Sequence, residues 1–479
     1  MKYIPECNET FSTEKMTMIK NSAFGIIENI GMRVTDINVR SKLLGNGFAQ
    51  KMERITYPSD KAAIFLDEMI AKENKHRYQK KETINLSENK RIIDGWINNY
   101  PHSYYDPSTD NIVPYTMKSL ADMTAFCDRV CQKYNLTPNV PGYPSDVPSS
   151  CEALARFVVG SKYLKNGTYP EPMSRYSTKY LFEMCDILGK QMNSLPVYLS
   201  TPLTIGDESF YIVLENQSRL QSVSIGTMPS FGANTPLSIS GSIALNLAEA
   251  LLGAIIVNNL TGLDVHFGVN LLPFDFASTN QTFGTPEMLL LTSACQRFNN
   301  ALFGRSGNGG NIEIHTHSIH PDSQAAAEKA MSMAAGYMRH EAWESIIFRG
   351  MGTLAMDEVF SPVQLLVDAE LVNYIRRFET GYEIDDIQAN FLDEIRDGIE
   401  YGFVSSERTA NNFKELMYHS GVFSRSNLGK QMQDNNLTLE KRLLTVVKTE
   451  MNLDTEMLLE PTSAAALDCL LERAIKNAT

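Results

Sequence analysis

At 479 residues the chain is long enough for one large α/β unit with extensions or for two to three smaller domains. Its 43% hydrophobic and 21% charged residues exclude a disordered chain and leave ample core. A formal net charge of −13 argues against nucleic acid or an anionic membrane as partner. Met1–Cys7 has no apolar core of a signal peptide, and no run of about twenty apolar residues occurs, so a cytoplasmic chain that does not span a membrane is expected. The longest apolar stretch, around Ala244–Val257, is interrupted by Asn246 and Glu249. Seven scattered cysteines fit a reducing compartment, with Cys127 and Cys131 read as two buried thiols.

Taken in order, Thr13 begins a run with apolar residues at helical spacing, closed by Gly31. A short strand at Met32–Val34, a helix over 38–44, a strand-like run at 53–58 and a helix over 60–71 follow. The charged stretch 72–90 reads as solvated surface. From Pro101 short apolar runs alternate with helical patterns, as in βα units. Strands are expected at 136–140, 169–174, 196–201, 222–228, 263–269, 301–303 and 345–348, with helix caps at Ser149, Ser177, Thr235, Thr285, Asp322 and Asp357.

These units, with an eighth strand borrowed from the flanks, predict an α/β fold, a TIM-type (β/α)8 barrel. It would comprise an N-terminal helical and small-strand extension (1–100), a catalytic barrel (101–385) and a C-terminal helical region packed on it (386–479). A doubly wound sheet is the alternative, but no Gly-rich nucleotide fingerprint follows the first strand. Neither a G-x-S-x-G elbow nor a P-loop occurs.

The densest chemistry lies in Gly304–Gln324, GRSGNGGNIEIHTHSIHPDSQ, where three of the eight histidines fall within six residues. If 311–318 is a strand, Glu313, His315 and His317 share a face. Three readings stay open: a metal set, groups that orient substrate or move protons, and buried histidines bonded to backbone. In a barrel the strand C-termini and following loops form the active site. That also selects Tyr143 and Asp146, Phe231, His266 and Phe267, and Phe348 and Arg349.

Several stretches then fall into a specific order. They are Glu28-Asn-Ile-Gly31-Met-Arg-Val34, Asp146-Val-Pro148, Ser200-Thr-Pro-Leu203, the long run Met228–Glu249, Gly284-Thr-Pro-Glu287, Asp322-x-Gln324, and Val367-Asp-Ala-Glu370 continuing to Asp385. The ordered set resembles the trimethylamine methyltransferase family, the corrinoid-dependent methyltransferases of methylotrophic anaerobes. Where members carry an acidic residue and a lysine before D-x-Q, this chain has His317-Ser-Ile319-His320.

The resemblance implies a TIM barrel that binds a methylated amine and passes one methyl group to Co(I) of a separate corrinoid protein. No cofactor would be bound by this chain itself, and a homo-oligomer is expected. The chain reads through in ordinary residues, so it resembles members without pyrrolysine, which act on quaternary amines such as glycine betaine, proline betaine or carnitine. A quaternary ammonium needs an aromatic or anionic cage, and a betaine carboxylate needs donors. Tyr143, Asp146, Phe231, His266, Phe267, Arg305, Phe348 and Arg349 are therefore expected at the substrate, and Glu313, His315, His317, Asp322 and Gln324 at the chemistry, with no metal. The alternative function is a metal-dependent barrel hydrolase built on Glu313, His315 and His317.

Overall fold

The computed structural model describes residues 11–81, 92–304, 310–339, 345–382, 391–433 and 438–478. Its centre is two arcs of parallel strands. In one, Ser222–Thr227 lies between Ser194–Leu199 and Asp264–Phe267. In the other, Ser345–Met351 lies between Gly310–Glu313 and Ile92–Ile97. Thus the last strand of the series pairs with the first, and Trp96 of the first bridges in parallel to Thr137.

The Ile92–Ile97 strand corrects the expected organisation, because a boundary at residue 100 would cut it from the sheet it belongs to. It went unread because Gly95 and Asp94 break its apolar pattern; Gly95 is there because a Cβ would meet Met351 Sδ at 2.9 Å. Two expected strands are not regular. Over 136–140 only Thr137 makes a bridge, and 169–174 has no ladder. Proline explains both: Pro138 in the first, and Pro170 and Pro172 in the second, lack the N–H that a ladder requires. The expected strand at 301–303 is instead the end of helix Pro286–Phe303, which stops at left-handed Gly304. The strand read as 311–318 stops at Glu313.

Alternation along these strands decides which side chains face helices. Val197, Leu199, Val223, Ile225, Val265 and Phe267 are buried in one core cluster, and Ile93, Ile312, Ile346 and Phe348 in another. Fully burying such a side chain contributes roughly 1.5–3 kcal/mol. The intervening residues, among them Trp96, Tyr198, Gly226, His266, Glu313 and Arg349, take the other face.

Helix Ile239–Thr261 backs the first arc. It is apolar all round and long enough to cross a membrane, yet 78% of its most apolar window is buried inside the fold. Its two polar interruptions have internal work. Glu249 accepts hydrogen bonds from Leu203 N (2.6 Å) and Thr201 Oγ1 (2.8 Å), and Asn246 donates to Thr227 Oγ1 at 2.8 Å. Burial raises the Glu249 carboxyl above its ordinary range. Its N-cap is Ser238, not Thr235; likewise Ser174 replaces Ser177 and Ser361 replaces Asp357, whereas Thr285 and Asp322 cap as read.

The N-terminal region forms Thr13–Asn29, Ile37–Leu44, Ser59–Lys81 and a small sheet. That sheet is tied to the first arc, since Met32–Val34 runs parallel to Thr204–Ile205. At the other end, helix Pro461–Ala478 packs its Leu467 and Leu471 into the core and pairs Asp468 with Lys162 at 2.6 Å.

Candidate functional site

Residues at the C-terminal ends of the two arcs lie near enough to act on a common neighbour, since Tyr100 feels Tyr198 of one arc and Arg349 and Glu313 of the other. Pairing places Glu313, Arg349 and Trp96 in one row. The Arg349 guanidinium lies over the Trp96 ring, 4.7 Å from its centroid. In the other arc, Tyr198 pairs with Gly226, and a Cβ on Gly226 would come within 2.8 Å of the tyrosine ring. Tyr100 joins the two rows. Its phenol is pushed up to about 12, first by burial, then by Tyr198 and Glu171, with Arg349 opposing and Glu313 adding. Burial also raises Tyr198, with Glu171 adding and Arg349 opposing. Both tyrosines are nonetheless 60% and 51% exposed. Solvent access beside the charged groups of both arcs makes these two tyrosines an open wall.

His315 is the buried pivot of this group. Its Nε2 lies 3.3 Å from Glu313 Oε2 and its Nδ1 lies 2.9 Å from Asp357 Oδ2. The Nδ1 contact is a charge pair rather than an aligned hydrogen bond, since that N–H does not point along the line to the oxygen. Burial is the largest influence and opposes protonation, but the Asp357 and Glu313 carboxylates outweigh it, and the imidazole is pushed up to about 10. Asp357 is held below the ordinary carboxylate range: burial acts upward, and His315 and the Thr353 hydroxyl overcome it. Thr353 Oγ1 and Asn98 Nδ2 reach Asp357 at 2.5 and 2.7 Å.

Two glycines let the chain pass close to His315. At Gly350 (φ +97) a Cβ would stand 3.4 Å from His315 Nδ1, and at Gly284 (φ +70) it would stand 2.6 Å from the His315 carbonyl oxygen. The backbone after Arg349 is shifted in register, and a fully buried ion pair fixes it. Lys329 Nζ donates to Asp368 Oδ2 (2.7 Å) and to the Gly350 carbonyl (2.8 Å), and Gly352 N donates to the same Asp368 oxygen at 2.7 Å.

The other expected residues scatter. His317 turns away: its Nε2 accepts from Phe283 N at 2.9 Å. The shared face of Glu313, His315 and His317 is therefore corrected, because the strand that would align them ends at Glu313. Among the described residues no three His, Cys, Asp or Glu side chains are grouped to hold a metal ion. Asp322 accepts from Gln324 N and Ala325 N and caps helix Ser323–Arg339, while Gln324 is exposed and donates to Glu328. Asp146 likewise accepts from Met117 N, at 2.9 Å, at the start of helix Met117–Tyr134.

Phe267 and Phe348 are core residues, 6% and 0% exposed, because they occupy the helix-facing register of their strands. Phe231 is half-buried on the short Ser230–Phe231 strand, packed against the core. His266 is exposed, one residue before Phe267 and on the opposite face. Arg305 lies outside the described residues. Tyr143 and Arg349 do reach the interior group: the Tyr143 hydroxyl donates to Glu171 Oε2 at 2.7 Å.

Sequence reasoning missed Trp96, Asn98, Asn99, Tyr100, Glu171 and Tyr198. The run Asn98-Asn99-Tyr100 follows the missed first strand and distributes its side chains to Asp357, Glu171 and the open wall respectively. The available signal was the alternation Asp94-x-Trp96, with one of only two tryptophans in the chain.

Comparison with known proteins gives a family of methyltransferases and no support for the hydrolase alternative. The family described as Trimethylamine methyltransferase (MTTB) matches residues 2–477. Trimethylamine methyltransferase MttB of Desulfitobacterium hafniense (strain DSM 10664 / DCB-2) is 23% identical over 321 residues, 64% of this chain and 62% of that protein. Glycine betaine methyltransferase of Desulfitobacterium hafniense (strain Y51) is 24% identical over 241 residues, 50% of this chain and 48% of that one. The chain thus spans less than two thirds of the length of these relatives. Among solved structures, the Methanosarcina barkeri monomethylamine methyltransferase (MtmB) superposes with a TM-score of 0.44 at 10% identity, covering 93% of this chain and 88% of that one. With the family matched from residue 2 to residue 477, the chain belongs to the trimethylamine methyltransferase family.

Proposed function

We propose that this chain is a cytoplasmic enzyme that moves a methyl group from a quaternary amine, such as a betaine, to the Co(I) of a separate corrinoid protein. Its eight strand positions would close as a parallel barrel, with the irregular, proline-bearing segments at 136–140 and 169–174 filling the second and third. The last-to-first strand pairing and the Trp96–Thr137 bridge support that reading.

The observation that carries the function is the grouping of two solvent-exposed tyrosines, Tyr100 and Tyr198, with the charges of Glu171, Glu313 and Arg349 on the strands and the segments beside them. Aromatic faces and carboxylates suit a methylated cation, and a guanidinium suits a carboxylate on the same substrate. The chemistry asks for little more. When the C–N bond of a quaternary ammonium breaks, its electron pair stays on nitrogen and the departing amine is neutral. No acid is required, and His315, its charge held by two carboxylates, is not a free base at neutral pH. What remains for the protein is to orient the methyl group and leave a clear approach to cobalt.

The test is methyl transfer from a panel of quaternary and tertiary methylamines to a cognate corrinoid protein, and to cob(I)alamin, followed by absorbance. Methyl-corrinoid should form with at least one quaternary amine. No transfer from any of them to either acceptor overturns the reading.

A further inference from the structure

The group described above contains two carboxylates able to meet a cation, Glu313 and Glu171, and their surroundings differ. Glu313 faces the His315 imidazolium through Oε2 and stands in the same row as Arg349. Its surroundings are therefore rich in positive charge. The face of Trp96 is also taken there, since Arg349 already lies over it.

Glu171 is built differently. Three donors converge on Oε2: the Tyr143 hydroxyl at 2.7 Å, Asn99 Nδ2 at 2.5 Å and Arg156 Nη1 at 3.2 Å. Among the described residues nothing bonds Oε1, and the side chain is 38% exposed. The clamp is rigid. Arg156 is 1% exposed, donates to Asn139 Oδ1 at 3.0 Å and lies over the Tyr143 ring. Pro170 and Pro172 restrict the backbone on either side of Glu171. One oxygen is held by the clamp and the other is left without a protein donor among the described residues, in a side chain whose charge reaches the two exposed tyrosines, Tyr100 and Tyr198.

We infer that Glu171 is the specificity-determining anchor for the cationic head of the substrate, receiving it through Oε1 between the rings of Tyr100 and Tyr198. This rests on the functional reading above and adds the residue and the atom. The cation would sit at Glu171, and the Arg349 guanidinium, over the Trp96 ring, is the group available to a substrate anion. A preformed carboxylate needs no reorganisation to receive the ammonium, so removing its charge acts on binding of the cation and not on binding of a neutral group of the same shape.

Titration calorimetry of the full chain tests this with tetramethylammonium and with 3,3-dimethylbutanoate, which replaces the ammonium of glycine betaine by a neutral carbon. Wild type should bind tetramethylammonium. E171Q should weaken it at least tenfold while leaving the butanoate within twofold, and in the transfer assay it should raise KM more than it lowers kcat. If E171Q fails to fold, E171D keeps the charge but withdraws Oε1, and it should show the same selective loss to a smaller extent. Equal tetramethylammonium affinity in wild type and the variant overturns the assignment of Glu171 alone. Parallel loss of both ligands also overturns it, because the residue would then shape the site rather than read charge. Failure of wild type to bind any quaternary ammonium overturns the functional reading with it.

Discussion

His315 Nδ1 stands 2.9 Å from Asp357 Oδ2, with the imidazole 7% and the carboxylate 11% exposed, and Glu313 completes the charge balance from the other nitrogen. A buried histidine is ordinarily neutral; this one is an imidazolium because two carboxylates outweigh the cost of burying it. The first prediction is a pH dependence of stability. The pKa rises from 6.5 to about 10 on folding, so the contribution is fully present below 6.5, declines through the interval and is gone above about 10. Thermal unfolding of wild type and H315Q should therefore differ most at or below pH 6.5 and converge as pH approaches 10. A gap that widens with pH would show that the imidazole is neutral in the fold.

The Lys329–Asp368 pair is the second buried charge device, and neither side chain is exposed. Breaking such a pair leaves one charge uncompensated, at a cost of about 3–5 kcal/mol, whereas removing both is far milder. K329M should lose stability of that order, and K329M/D368L should recover part of it in thermal scans. Recovery is partial because Gly352 N and Gln364 Nε2 also use Asp368. Lys329 also holds the Gly350 carbonyl, next to Arg349. Transfer activity should therefore fall with the single variant even at temperatures where it remains folded.

How far the site could be read beforehand depended on local pattern. Thr285 and Asp322 were legible as caps because a cap is a local event: a side chain bonds the backbone two or three residues on. The histidine cluster was legible as a place, but not as a geometry, because a strand ending at Glu313 instead of Ser318 changes which side chains share a face. Glu171 was missed although its segment was read as a strand, because the groups that clamp it, Asn99, Tyr143 and Arg156, come from other segments of the chain. Tyr198 and Trp96 were hidden for a like reason. Their partners, Gly226 and Arg349, come from distant segments, and only pairing register brings them together.

Gly226 supplies the third prediction. It lies under the Tyr198 ring, where an added Cβ would meet Cδ1 at 2.8 Å and Cε1 at 3.0 Å. The ring is half-exposed and can swing outward, so G226A should change stability by only about 1 kcal/mol, at the low end of overpacking costs. It should nevertheless displace part of the open wall. The expected kinetic signature is a several-fold higher KM for the quaternary amine. An unchanged KM would mean that Tyr198 does not contact the substrate.

Asp322 gives the last prediction, and it separates a cap from a functional group at the same position. Its Oδ1 accepts from the backbone N–H of Gln324 and Ala325 and from the Ser318 hydroxyl, which accounts for the side chain without any ligand. Helix Ser323–Arg339 carries Lys329 into the core pair and Glu328 to the Thr316 hydroxyl, so its first turn helps hold the segment that follows His315. Loss of an N-cap carboxylate costs about 0.5–2 kcal/mol. D322A should therefore lower the melting temperature by a few degrees, and D322N or D322S, which retain a capping oxygen, should restore most of it. Turnover at saturating amine should stay within twofold of wild type for all three when measured well below their melting temperatures. A hundredfold loss in D322N would place the carboxylate at the reaction instead, since the cap would be intact and only the charge removed.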